Sequence, residues 1–387
     1  MLFCRFSCFI LQNLMGFPAI ASLIPYFYSM FWKSGGVRTA FFLCTAIFIH
    51  FFSFDPQRVE RYYSTRFYEQ LSSVFRAATG WLPFSIGDIL YVAAVTYIIY
   101  RVIKKVGGFR RGSREFTWRG TMRRSVSYIN TLLLFYIFFN LVWGLNYNRS
   151  TVADKIGLDI RPYSFAELEE VSCVLIDKVN YYRERLPATY PDDRQLFKKV
   201  SGAYRIAEMK YPFMKLGHPS SKPSLFTVIG SYAGFTGYYN PFTGEAQVCT
   251  SYPKFLLPYT ACHEVAHQLG FAKENEANFV GYLAAANSND PLLQYSVYLD
   301  LFIYANRSLS RIDTTLGRVH RRSLSKKVHG HLEEWYAFAA RHRNPVEPYF
   351  RLLYGKFLER NQQPRGMLTY DEVTGFIIAL YKRDGAL

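Results

Sequence analysis

Apolar positions are arranged in two ways along this chain. Before residue 146 they form long uncharged runs, and after it they recur at helical spacing between charged positions. Val126 to Leu145 carries no charge, Thr39 to Phe54 is uncharged between Arg38 and Asp55, and Ile86 to Ile103 holds only Asp88 and Arg101, near its ends. About 20 mostly apolar residues cross the hydrocarbon core of a bilayer. Three spans are therefore predicted, over about 37–54, 86–103 and 126–145. A fourth uncharged run, Phe6 to Trp32, contains Pro18 and Pro25, which kink or break a helix. Residues 1–36 are left as an apolar segment without an assigned element.

In the second half, Phe165, Leu168, Val171, Leu175, Ile176 and Val179 share a helical face, and Ser164 and Glu167 have the spacing of a capping box. A polar stretch from Pro187 to Arg194 ends this helix, and a second is predicted over Gln195 to Lys210. Ser224 to Ile229 and Ala246 to Thr250 read as strands, with a turn at Asn240-Pro241-Phe242-Thr243-Gly244. A helix starting near Pro258 follows, then helices over about 274–286, 292–309, 331–341, 348–360 and 370–381. The expected fold is mainly α: a membrane region over 37–145, then a domain over 146–387 with a small sheet.

Composition excludes a disordered protein, since half of the 387 residues are hydrophobic and 18% aromatic. The net charge of +17 is uneven, with 16 Lys and Arg against 5 acids before residue 146 and 30 against 24 from there on. Positive charges that alternate with long apolar runs point to membrane loops rather than to nucleic acid. Arg101, Lys104, Lys105, Arg110, Arg111, Arg114, Arg119, Arg123 and Arg124 surround the segment between the second and third spans, opposed only by Glu115. Such loops stay on the cytoplasmic side. The loop over 104–125 is therefore expected inside and everything after Asn146 outside. Three of the six cysteines, Cys173, Cys249 and Cys262, fall in that outer part, so at most one pair can form there, and small buried hydrophobes are the preferred reading.

The chemistry lies in His263-Glu264-Val265-Ala266-His267. On a helix, positions i and i+4 lie about 5–6 Å apart on one face, so both imidazoles reach one metal ion. A catalytic zinc takes three protein ligands and keeps one position open, and Glu264 is placed to act as the general base. Gly270 can end the helix in the left-handed conformation, letting the chain reverse and return a carboxylate. Glu274 is the preferred third ligand and Glu276 the alternative. With Glu274, Asn278 lies one turn further on the same face, where it can orient a ligating histidine. Glu274 and Asn278 resemble the Glu-x-x-x-Asp arrangement of glutamate-ligand zincins, with Asn in place of Asp. A third histidine of the metzincin kind is excluded, because the position six residues after His267 is Lys273. Upstream, Tyr238, Tyr239 and Asn240 are candidates for binding substrate along an edge strand. Tyr304, with Tyr295 and Tyr298, is a candidate for stabilising the carbonyl oxygen as it gains charge.

Longer blocks accompany this motif: Val59-Glu60-Arg61-Tyr62-Tyr63-Ser64, Trp81-Leu82-Pro83-Phe84-Ser85-Ile86-Gly87-Asp88, Trp143-Gly144-Leu145-Asn146-Tyr147, Gly237 to Val248, Thr260 to Leu283, and Phe357 to Tyr370 with Asn361 and Gly366. Through them the chain, from about Val59 onward, resembles a bacterial membrane protein family catalogued as domain of unknown function 3810, whose members look like zinc metallopeptidases. The resemblance implies a membrane anchor, a gluzincin-like domain, and a metal site at His263, Glu264, His267 and the Glu274/Glu276 pair. It supplies no substrate.

The expected protein is a multi-pass protein of the bacterial cytoplasmic membrane with a zincin-like α+β domain on the extracytoplasmic side. It would hydrolyse peptide bonds with Zn²⁺ and Glu264. Its expected partners are a peptide or protein substrate and the lipid bilayer, without nucleic acid. Two alternatives stand beside it. One is a non-catalytic receptor or assembly factor with a structural or vestigial metal site. The other is an intramembrane zinc protease in which the apolar stretch Phe255 to Phe271 lies in lipid.

Overall fold

The computed structural model describes residues 35–109 and 117–387. The run Phe6 to Trp32, Cys4, Cys8 and the middle of the basic loop lie outside them. Among the described residues three helices are long and apolar enough to cross a membrane: α1 (Gly35–Phe52), α4 (Ile86–Phe109) and α5 (Trp118–Val142). The third span was expected over 126–145 but its helix stops at Val142. Beyond it Trp143, Leu145, Asn146 and Tyr147 are buried in a 3₁₀ turn, Gly144–Asn148, so their apolar surface serves protein rather than lipid.

The described residues form two compact units, 35–54 with 103–109 and 117–141, and Asp55–Val102 with Val142–Leu387. Residues 55–102, which the sequence reading placed in a membrane region, thus pack with the later domain. They begin as α2 (Pro56–Arg58), whose N-terminus is capped by the Asp55 carboxylate, continue through wide π-helical turns over Val59–Tyr68 and α3 (Glu69–Thr79), and run on into α4.

The rest of this unit is mainly helical, with a small three-stranded sheet. Helices α6 (Val152–Ile156), α7 (Phe165–Arg183) and α8 (Asp193–Lys210) each open on a capping box, at Thr151/Asp154, Ser164/Glu167 and Asp192/Gln195. The sheet consists of β1 (Ser221–Pro223), β2 (Gly237–Asn240) and β3 (Glu245–Val248) in the order β1-β3-β2. β1 runs parallel to β3, while β2 is antiparallel to it and forms an edge, with Tyr238 opposite Gln247 and Asn240 opposite Glu245. The strand expected at Ser224 to Ile229 is instead the start of α9 (Thr227–Ala233). Its β-branched residues suggested a strand, yet Leu225, Val228, Ile229 and Tyr232 follow helical spacing and are exposed.

Every residue of α10 (Leu257–Gln268) is buried, enclosed by β3, α11 (Glu274–Ala286) and α12 (Pro291–Ile312). Then come α13 (Thr314–Arg322), α14 (Lys326–His342), α15 (Glu347–Arg360), a 3₁₀ segment Gly366–Glu372 and α16 (Val373–Asp384). Gly281 lets α11 lie close to α10, because a Cβ there would sit 3.1 Å from the His263 backbone nitrogen. Cys249 and Cys262 are buried free thiols, as the sequence reading preferred, while Cys173 is exposed.

The last turn of α10 leaves carbonyls that need donors, and residues distant in sequence supply them. Tyr68 Oη donates to His267 O at 3.2 Å, Arg76 Nη1 to Gln268 O at 3.1 Å and Arg149 Nη1 to Leu269 O at 2.8 Å. Arg149 is held in turn by both Glu60 oxygens at 2.9 Å and lies over the Phe271 ring. Gly270 has φ +82°, and a Cβ there would meet the Tyr68 ring at 2.9 Å and Arg149 Nη1 at 3.0 Å. Gly157 also has positive φ, but nothing lies within 4 Å of the site of its Cβ. Gly157→Ala is therefore expected to cost only the backbone strain, on the order of 1 kcal/mol. Gly270→Ala adds a clash and should cost clearly more. Thermal unfolding of the two variants side by side checks the order.

Candidate metal centre

α10 places His263 and His267 one turn apart on one face, and the turn at Gly270 brings α11 back so that its first residue meets them. His263 Nε2 lies 3.2 Å from His267 Nε2 and 3.1 Å from Glu274 Oε2, and His267 Nε2 lies 3.7 Å from the same oxygen. Among the described residues these three form the cluster of ligand-type side chains whose donor atoms all fall within 4.8 Å of one another.

His267 Nδ1 is 2.6 Å from Phe271 O, so the proton belongs on Nδ1 and the Nε2 lone pair faces the cluster. Acceptor atoms thus converge in a buried space, and Glu274 Oε2 and Glu264 Oε2 accept no hydrogen bond there. Such an arrangement is repulsive unless a cation lies between the atoms. The spacing also suits one: two ligands, each about 2.0–2.1 Å from a tetrahedral zinc, stand about 3.3 Å apart. The donor set of two histidines and one glutamate fits that ion.

Of the two candidate glutamates, Glu274 joins the histidines and Glu276 does not. Successive helical residues turn by about 100°, so side chains two positions apart point to nearly opposite sides. Glu276 is buried on the other side, near Lys273 and Arg149 and bonded to the Val152 backbone; burial raises its carboxyl and the two cations partly offset this. Burial would raise Glu274 as well, but His263 and His267, which bond it when their Nε2 atoms carry protons, hold it well below the usual carboxylate range. Burial works against charge on His267 too, and the Glu274 bond outweighs it and raises the ring.

Glu264 is buried on the same helix, and burial pushes its carboxyl up to about 7, against the pull of His263 and His267. A Cβ on Gly237 would lie 2.6 Å from Glu264 Oε1, so the edge strand β2 passes directly over this carboxylate. The side chains of β2 are tied elsewhere. Tyr238 Oη binds Asp88 and Ser224, Tyr239 Oη is hydrogen-bonded with Tyr68 Oη at 2.9 Å, and Asn240 is buried with Oδ1 accepting from Phe242 N. These contacts anchor the strand within the protein.

Asn278 does not orient a histidine. Its side-chain amide donates to Tyr370 O at 3.4 Å, while Tyr259 Oη donates to its backbone carbonyl. Tyr295 is spent on His331 at 2.8 Å and Tyr298 stacks on Tyr182. Tyr304 lies near Asp300 and Arg307 and feels the Glu274 charge, but no hydrogen bond joins it to that carboxylate among those described.

The phenols that do touch the cluster were missed. Tyr354 Oη donates to Glu274 Oε1 at 2.6 Å, Tyr370 lies near the same carboxylate, and the Tyr370 ring lies beside His263. Gln363 Oε1 accepts from Glu274 N at 2.8 Å and so caps α11. Trp143 packs edge-on against His267 and, tilted, against Tyr239. Tyr354→Phe is expected to weaken metal binding about 10–100-fold, the usual effect of losing a group that orients a ligand. Tyr295→Phe should leave it unchanged. Competition with a zinc-sensitive dye measures both.

The blocks far apart in sequence meet around this centre. Ser64 donates to Asn146, the Ile86 and Gly87 amides donate to Glu245, and Tyr370 closes on Glu274. A family model described as "Protein of unknown function (DUF3810)" matches residues 63–378. No curated protein and no solved structure matches the chain.

Proposed function

We propose that the chain, which belongs to the DUF3810 family, is a membrane-anchored zinc metallopeptidase. The observation that carries this reading is the convergence of His263, His267 and Glu274 beside the buried Glu264, under an edge strand. Zinc held by His263, His267 and Glu274 would supply Lewis acidity to a water and to the scissile carbonyl.

The protein groups then do the proton work and the positioning. The free edge of β2 can align an extended peptide by backbone hydrogen bonds, which brings its carbonyl past Glu264. Glu264 takes a proton from the attacking water and delivers it to the departing amine. Tyr354 fixes Glu274 through its hydroxyl, with Tyr370 beside it. The basic segment between α4 and α5 supports a cytoplasmic location for that loop and an extracytoplasmic one for the site.

The test is metal content together with turnover. Full-length protein in detergent should bind one zinc per chain and cleave unfolded polypeptide, lose cleavage to a chelator and regain it with zinc. Bound zinc without cleavage would favour the receptor reading. The intramembrane reading has less support, because α10 has 12 residues and is not one of the helices long enough to cross a bilayer.

A further inference from the structure

Two helices of the larger unit carry their apolar stripe on the outside. In and just before α9, Leu225, Val228, Ile229 and Tyr232 recur at i, i+3, i+4 and i+7 and are all exposed. Along α15 the same repeat places Val346, Tyr349, Phe350, Leu353 and Phe357 on the surface, and only Gly355 and Leu358 are buried. A helix normally turns such a stripe to the core. Two neighbouring helices doing the opposite make a large exposed apolar surface that needs an occupant.

Its place in the fold identifies that occupant. The Leu225 amide donates to Asp88 Oδ2 at 2.7 Å, and Asp88 lies in the first turn of α4, a candidate span whose next residues, Ile89 and Leu90, are exposed. α9 is therefore bonded to the end of a membrane-crossing helix. On the other side, Phe357 of α15 packs edge-on against Tyr147, in the 3₁₀ turn Gly144–Asn148. Trp81 and Phe84, just before α4, are exposed as well, and aromatic residues gather at the headgroup level of membranes.

We propose that α9 and α15 form an interfacial surface that lies in the headgroup region of the same bilayer that α4 crosses. Helices with an apolar face outward and basic residues beside it, here Arg351, Lys356 and Arg360, bind membranes in this way. Since Tyr354 of α15 is bonded to Glu274, the surface is one side chain away from the candidate metal centre. The proposal rests on α4 being a span, and it does not require catalysis.

The test uses full-length protein in phosphatidylcholine/phosphatidylglycerol vesicles, with Cys4, Cys8, Cys44 and Cys173 replaced by Ser. An environment-sensitive NBD label goes on Leu353→Cys, Val228→Cys, Ile98→Cys in α4 or Lys198→Cys on α8. Lipids with shallow nitroxides should quench positions 353 and 228, and deep nitroxides should quench 98. Iodide from the water should quench 198. Labels at 353 and 228 that respond only to iodide, while 98 responds to lipid, would overturn the interfacial surface alone. Labels protected from both quenchers would mean a protein partner or a second copy, and would also overturn it. Loss of lipid quenching at 98 would instead remove the span on which the proposal rests.

Discussion

Glu264→Gln is expected to lower peptide cleavage by about 10²–10⁴-fold, the contribution of a positioned general base, with zinc content unchanged. Glutamine has the shape of glutamate, so it fits under Gly237, where the strand leaves no room for a larger side chain. It also brings no charge to desolvate at a site where burial disfavours the carboxylate, so the variant should melt no lower than the parent. The combination is diagnostic: activity falls while metal and stability stay. Cleavage of unfolded protein, read by mass spectrometry of the fragments, and metal analysis of the same samples check it. A variant that retained full activity would remove Glu264 from the mechanism.

The elements of the site differ in how legible they were. His263 and His267 could be paired from sequence because their partnership is local, set by one helical turn. Gly270 could be placed for the same reason, and its φ of +82° is that expected of a glycine ending a helix. The groups that hold the end of α10 were not legible in this way. Tyr68 reaches His267 across 199 positions and Arg76 reaches Gln268 across 192. No periodicity encodes such a contact, although the blocks in which the chain resembles its family do include Glu60, Asp88 and Trp143.

Tyr354 and Tyr370 were hidden differently, among 31 tyrosines of which most pack or cap. Only the fold reveals that α15 and the turn after it close over Glu274. The misreading of 224–229 has a further physical cause. Pattern reading assumes that an apolar stripe is sheltered by protein, and the stripe of α9 is exposed. The segment that most misled the sequence reading is thus one of the two that carry the interfacial surface.

Glu274 and Glu276 give the second large effect, because both are buried glutamates at the start of one helix and only one meets the histidines. Glu274→Ala removes a ligand and leaves the two imidazoles without their anion. Zinc affinity should fall by more than about 100-fold, beyond the upper end for losing a group that only orients a ligand, and cleavage should fall with it. Glu276→Ala removes a carboxylate bonded to the Val152 backbone and lying near Arg149, so it should lower the melting temperature but leave zinc binding intact. Added zinc separates the two cases. A ligand present at 100 times its dissociation constant stabilises the folded state by about 2.7 kcal/mol. Zinc should therefore raise the melting temperature of the parent and of Glu276→Ala, and leave that of Glu274→Ala where it was. If zinc stabilised Glu274→Ala and not Glu276→Ala, the carboxylate ligand would have to come from the other face of α11. The placement of the centre between the first turn of α11 and the last two turns of α10 would then be wrong.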